Sequence, residues 1–219
     1  MKLIFSCLSL TLALSAHAET VANVTTAGFS QVQDALVRRA AKVAVDRMLS
    51  PQVVKCVQKN AKRARTASAA EWRFRDSNDR NGHLVYAMYA LRDSGFKLDG
   101  QGAGRIDLHI AAEAMEGNTT GRASVGIVNG NQKKYSIRLN RDKVAGRDHL
   151  SSADMWAEVI SHEMLHNVAL RHGTANGANW DTNYKDFVIT EWGFCVESNG
   201  ANGSSGGFGL VGARPKYNN

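Results

Sequence analysis

The residues best suited to chemistry in this sequence are two histidines and a glutamate in the segment HEMLHNVALRHG, residues 162–173. His162 and His166 stand four residues apart, so on a helix their imidazoles project from one face, one turn apart. Glu163 projects about 80° to the side of them. This spacing suits a single Zn²⁺ ion bound by two imidazole nitrogens. We therefore predict a zinc-activated water, with Glu163 as the general base.

The longer string from His162 to His172 resembles the motif of the metzincin zinc peptidases, HExxHxxGxxH. The resemblance implies that His172 is the third zinc ligand and that the chain is a metalloendopeptidase, a hydrolase of peptide bonds. It also implies that residues 122–128 form an edge strand along the substrate cleft. Ala169 replaces the glycine of the motif, and no methionine follows Met164 to form the methionine turn of that family. The chain is thus metzincin-like and departs from the pattern at two points.

The identity of the third ligand depends on where the helix ends. An uninterrupted helix would carry His172 about 9 Å along the axis beyond His166, out of reach of the same metal ion. A break at Ala169 or at Asn167 would allow the chain to return toward the metal. Glu191 is the alternative third ligand, and Asp181 is a further candidate.

The elements that must position these residues follow from the apolar pattern. Helical spacing predicts helices over about 29–49, 51–64, 83–92 and 153–168, and period-two alternation predicts strands over 105–110, 124–128 and 135–139, with a hairpin turn at 129–131. His109 alternates with apolar neighbours, so we expect it on the solvent side of its strand. The helix that carries the histidines is apolar on all sides, which indicates that it is buried.

Together these elements predict an α+β fold. It has a helical N-terminal part, a small mixed sheet with an edge strand over the cleft, a buried active-site helix and an irregular C-terminal part rich in glycine and asparagine.

The first eighteen residues have the features of a signal peptide. Lys2 precedes an apolar run from Leu3 to Leu14, and Ala16-His17-Ala18 is a small-x-small cleavage site. We expect cleavage after Ala18, a secreted or periplasmic location and no membrane span, because no later segment reaches about 20 apolar residues. Residues 19–219 then form a single domain, with an extended or flexible tail from about 199 to 219.

Two cysteines remain after cleavage, Cys56 and Cys195. Thiols of an exported protein meet oxidising conditions, so we expect these two to form a disulfide. The alternative is that the Cys56 thiolate blocks the zinc ion in a latent form.

The formal net charge of +7 suits an anionic surface or substrate. It also supports an alternative function, a secreted basic binding module that attaches to envelope polymers or nucleic acid through residues 55–75 and uses zinc only structurally. For the peptidase, the substrate is a protein or a cell-wall peptide, and the sequence does not decide between them.

Overall fold

The computed structural model describes residues 20–61, 80–96, 104–117, 119–124, 126–128, 134–144, 152–168, 170 and 188–201. The elements within them are, in chain order, β1 (Thr20–Ala27), α1 (Gln31–Met48), α2 (Pro51–Ala61), α3 (Arg80–Asp93), β2 (Gly104–Glu113), β3 (Gly121–Ala123), β4 (Lys134–Asn140), α4 (Ala153–Asn167) and α5 (Val188–Glu197). The predicted mixture of helices with a small mixed sheet is confirmed. None of the described helices combines the length and the apolar character that crossing a membrane requires.

Several predicted features lie outside the described residues. They are the signal peptide at residues 1–18, the turn at 129–131, the ligand candidates His172 and Asp181, the basic stretch from 62 to 75 and the tail beyond residue 201.

The four strands form one open sheet in the order β1-β2-β4-β3. The first three are parallel, and β3 runs antiparallel to β4 at the edge. Alternation along β2 and β4 buries one face of the sheet, with Ile106, Leu108, Ile110, Tyr135, Ile137 and Leu139 in the core. The intervening residues of the same strands are exposed, so the described helices cover the other side of the sheet.

The edge strand is shorter than the predicted one. The sheet pairing of β3 ends at Ala123, and the prediction of a strand over 124–128 is wrong. The reason is that this segment pairs with the end of α4 instead. The N–H of Gly126 donates to the carbonyl of His166 at 3.0 Å, and the N–H of Val128 donates to the carbonyl of Asn167 at 3.0 Å.

Helix α4 is the centre of the fold. Ser152 caps its first turn by accepting hydrogen bonds from the N–H groups of Asp154 and Met155, as its residue type favours. Every residue from Met155 to Asn167 is buried, as the apolar pattern predicts. Helices α1 and α5 and strands β3 and β4 pack around it.

Helix α4 ends at Asn167, two residues before Ala169. Asn167 is fully buried, and its side chain joins two other segments to this end of the helix. Its Nδ2 donates to the carbonyl of Ser124 at 2.9 Å, and its Oδ1 accepts from the N–H of Ser136 at 2.7 Å. The helix therefore stops at one of the two positions that the sequence allowed, and it does not carry the following residues along its axis.

The predicted disulfide is confirmed. Cys56 on α2 and Cys195 on α5 are bonded, with their Cα atoms 5.9 Å apart. The alternative role of Cys56 as a thiolate that blocks a metal ion is thereby excluded for this form of the chain.

Replacing Asn167 with alanine should lower the free energy of unfolding by about 1–3 kcal/mol, because the N–H of Ser136 and the carbonyl of Ser124 would both lose a partner in a partly buried place. Urea denaturation followed by circular dichroism measures this loss. Asn23→Ala is the matched control. It removes an exposed hydrogen bond to Asp107 and should cost less than about 0.5 kcal/mol. Equal losses in the two variants would contradict the structural role of Asn167.

Candidate functional site

The structure places His162 and His166 side by side on one face of α4. Their ring centroids are 5.1 Å apart, the ring planes are inclined by 78°, and each residue is 1% exposed. One helical turn separates them, as the spacing in the sequence predicts. The site is therefore a buried pair of imidazoles.

A hydrogen bond to the backbone of Leu170 determines which ring nitrogen of His166 carries the proton. Its Nδ1 lies 2.8 Å from the carbonyl oxygen of Leu170, and a carbonyl oxygen can only accept a hydrogen bond. Nδ1 must then carry the proton and donate it, so the neutral ring has its lone pair on Nε2. A metal-binding histidine commonly donates its other ring N–H to a backbone carbonyl in the same way.

Glu163 is buried beneath the edge strand. It is 1% exposed, and its Oε2 has no hydrogen-bond partner among the described residues. Burial raises the pKa of Glu163 to about 8, although the positive charge of Arg122 opposes this shift. In the metal-free chain the carboxyl group therefore holds a proton at neutral pH, and its role as a general base beside a bound metal ion stays a prediction.

Gly121 makes this close approach of strand and helix feasible. A Cβ atom at this position would lie 2.9 Å from Cγ1 of Val159 and 3.0 Å from Oε1 of Glu163. Any larger residue would have to displace Glu163 or the edge strand. The glycine thus fixes how near the carboxyl group lies to β3.

Two arginines lie on the exposed face of the sheet, on the side of β3 away from α4. Arg122 on β3 and Arg138 on β4 are directly paired across the two strands, and their side chains are 52% and 57% exposed. Both approach Glu113, with nitrogen–oxygen distances of 3.8 Å for Arg122 and 3.3 Å for Arg138. Two guanidinium groups share one carboxylate, so this cluster keeps a net positive charge.

No third ligand joins the two histidines within the part of the chain that the structure describes. These residues contain no group of three or more His, Cys, Asp or Glu side chains that could hold a metal ion. Glu191 is buried on α5, at 5% exposure, but it completes no such group. His172 and Asp181 lie outside the described residues, so their role as ligands stays a prediction.

The position of His109 is as expected. It is exposed on β2, where its Nδ1 lies 3.0 Å from Oγ1 of Thr25 on β1. It belongs to the open face of the sheet and is separate from the buried histidine pair.

The sequence did not predict the arginine pair or the contact beneath Gly121. Arg138 stands at an outward position of the predicted strand 135–139, which was the available signal. Its pairing with Arg122 depends on the register between β3 and β4, and the close contact of Gly121 depends on how α4 packs. Neither can be derived from local patterns.

Comparison with known proteins gives one informative similarity. A probable RNA 2′-phosphotransferase of Pseudomonas aeruginosa (strain UCBPP-PA14) is 33% identical to this chain over a 100-residue alignment, which covers 42% of this chain and 52% of that protein. The chain thus spans about half the length of the curated relative it matches. No family model matches the chain, and no solved structure matches it.

This similarity contradicts the function predicted from the motif. The relative is named as a transferase for RNA, so the predictions of a metzincin-like peptidase and of a secreted zinc metalloendopeptidase are wrong. The alternative, a secreted binding module, gains no support from it either. The physical reason for the error is that two histidines and a glutamate at helical spacing define a local geometry, which does not specify a third ligand or a substrate.

Replacing Glu163 with glutamine should remove a pH dependence of stability. Between the ordinary pKa of 4.5 and the folded value of about 8, the folded chain holds a proton that the unfolded chain has lost. The wild-type chain must therefore become less stable as the pH rises. From pH 5 to pH 8, the free energy of unfolding of the wild type should fall by up to about 4 kcal/mol relative to Glu163→Gln.

Urea denaturation at several pH values, with a chelator present, measures this difference. Glu116→Gln is the control, because Glu116 is exposed and its replacement should leave the pH dependence of the wild type unchanged. Parallel pH profiles for the wild type and Glu163→Gln would contradict the raised pKa.

Proposed function

We propose that this chain is an RNA-processing enzyme that acts on a phosphate attached to the 2′-oxygen of RNA. The observation that carries the proposal is the 33% identity over 100 residues to a probable RNA 2′-phosphotransferase. The chain spans about half the length of that protein, so the activity of the whole relative is a proposal for this chain.

The arginine pair supports the proposal as a phosphate-binding group. A guanidinium group can donate two parallel hydrogen bonds to phosphate oxygens. Arg122 and Arg138 form a cross-strand pair on neighbouring strands, so their side chains lie side by side. Their contacts with Glu113 are exposed salt bridges, each of which contributes less than about 1 kcal/mol. A phosphate dianion can therefore replace the carboxylate at little cost.

Removal of a 2′-phosphate breaks the bond between phosphorus and the 2′-oxygen, and that oxygen must take up a proton while the phosphoryl group passes to an acceptor. Glu163 is not the donor of this proton to a phosphate held by the arginine pair, because it is buried on the α4 side of β3 and the two arginines project from the opposite face.

The test uses an RNA oligonucleotide with one radiolabelled internal 2′-phosphate, incubated with the purified chain and a small-molecule extract that supplies acceptors. We expect loss of label from this RNA and none from the same RNA with a 3′-terminal phosphate. Arg122→Ala and Arg138→Ala should each lower kcat/KM about 10–100-fold, since each removes a charged hydrogen bond to phosphate.

Arg39→Ala is the matched control for these variants. It removes an exposed arginine from α1, on the helical side of the molecule, and should leave the rate unchanged. Absence of label loss in the wild type, or equal loss from the 3′-phosphate, would reject the proposed reaction.

We also propose that His162 and His166 bind a zinc ion, with His172 as the third ligand. The support is the distance of 5.1 Å between the ring centroids, the lone pair placed on Nε2 of His166, and the end of α4 at Asn167, which frees the chain from the helix axis. When bound, zinc would act as a Lewis acid toward an oxygen ligand.

Metal analysis of protein purified without chelator tests the zinc site. We expect about one zinc ion per chain in the wild type and in His109→Ala, the exposed control histidine. His162→Ala and His166→Ala should lose the ion, and His172→Ala should bind it at least about tenfold more weakly. A wild-type chain that neither holds zinc nor takes it up on dialysis would reject the site.

A further inference from the structure

The face of the sheet away from α4 is a polar surface that none of the described helices covers. Its exposed residues are the strand residues that alternate with the buried ones. They are Val21, Asn23 and Thr25 on β1, Arg105, Asp107 and His109 on β2, Lys134, Ser136 and Arg138 on β4, and Arg122 on β3. We call these ten residues the open sheet face.

Positive charge dominates this surface. Arg105, Lys134, Arg138 and Arg122 contribute four cations, and Asp107 and the neighbouring Glu113 offset two of them. The strand register places Lys134 beside Asp107 and places Arg138 beside Arg122. The cations are thus spread from one end of the face to the other, over about 20 Å along the strands.

A row of hydrogen-bonding groups crosses the middle of the face. Thr25, His109 and Ser136 lie next to one another on β1, β2 and β4. Two hydroxyl groups and an imidazole can donate to or accept from a ribose 2′-hydroxyl, which is itself both donor and acceptor. The described residues of the open sheet face include no aromatic side chain and one large apolar side chain, Val21, at 52% exposure.

We propose that the open sheet face binds the sugar–phosphate backbone of single-stranded RNA, and that Arg105 and Lys134 hold the strand to one side of the phosphate bound by Arg122 and Arg138. The choice of RNA as the occupant rests on the proposed function. Charge complementarity favours a polyanion, and the lack of aromatic anchors in the described face is unlike the centre of a protein–protein interface. Binding through phosphates and hydroxyl groups alone makes the contact independent of base sequence.

The test compares a double variant, Arg105→Ala with Lys134→Ala, with a control of equal charge, Arg39→Ala with Lys55→Ala. All four residues are exposed, and the control pair lies on α1 and α2, away from the sheet. Fluorescence anisotropy measures binding of a labelled 20-nucleotide RNA that carries no 2′-phosphate, over a range of salt concentrations. Thermal unfolding of each variant verifies that the fold is retained.

We expect the sheet-face variant to bind this RNA at least about tenfold more weakly at low salt. The slope of log K against log salt should become shallower by about 1.4, since each lost phosphate contact removes about 0.7 for a single strand. The control variant should bind like the wild type. Unchanged binding by the sheet-face variant, or an equal loss in the control, would overturn the inference, as would a polyglutamate peptide that binds the wild type as tightly as RNA does.

The same measurements with a 2′-phosphorylated RNA separate this inference from the proposed function. If the sheet-face variant loses affinity for both RNAs while the wild type releases no 2′-phosphate, the RNA-binding face stands and the proposed reaction fails. If the wild type releases the 2′-phosphate and the sheet-face variant binds both RNAs normally, the proposed reaction stands and the RNA-binding face fails.

Discussion

The hydrogen bonds of the Asn167 side chain are the constraint on which the arrangement of the site depends. They join the end of α4 to Ser124 after the edge strand and to Ser136 inside β4. Close apolar packing resists large displacements of a buried helix but has little directionality, so directional hydrogen bonds define its position more sharply. The amide of Asn167 makes two such hydrogen bonds. The histidine pair and Glu163 consequently keep one position relative to β3 and its arginine.

Burial and charge act in opposition at Glu163. The low-dielectric surroundings beneath Gly121 favour the neutral carboxyl group, while Arg122 favours the ionised one. The balance leaves a group that titrates near the pH at which most proteins work, although an isolated glutamate would be fully ionised there. Two elements set this balance, since α4 carries the acid and β3 carries both the glycine that admits it and the arginine that acts on it.

The sequence predicted most of the secondary-structure elements, but it missed some of them and gave a wrong function for the chain. Helix α4 was predicted well because apolar residues lie on all its sides, and the structure buries every residue from Met155 to Asn167. Strand β1 was missed because its alanine, threonine and asparagine residues give weak contrast between its two sides. The segment Val188–Glu197 was not recognised as a helix because its β-branched and aromatic residues have no helical preference, and packing against α4 decides its structure. The prediction of the function failed because the five positions from His162 to His166 describe about one helical turn and specify neither a third ligand nor a substrate.

The disulfide has a consequence for the order in which the molecule is made. Cys56 and Cys195 are 139 positions apart in the sequence, and the segment between them includes β2, β3, β4 and α4, so the covalent ring encloses nearly the whole site. A chain synthesised or threaded through a membrane from its N-terminus presents Cys195 only after all those elements have emerged. Until then Cys56 has no native partner, and every contact within the emerged part of the chain is noncovalent. Oxidation can only come after these elements have emerged, and it then adds the covalent link between α2 and α5.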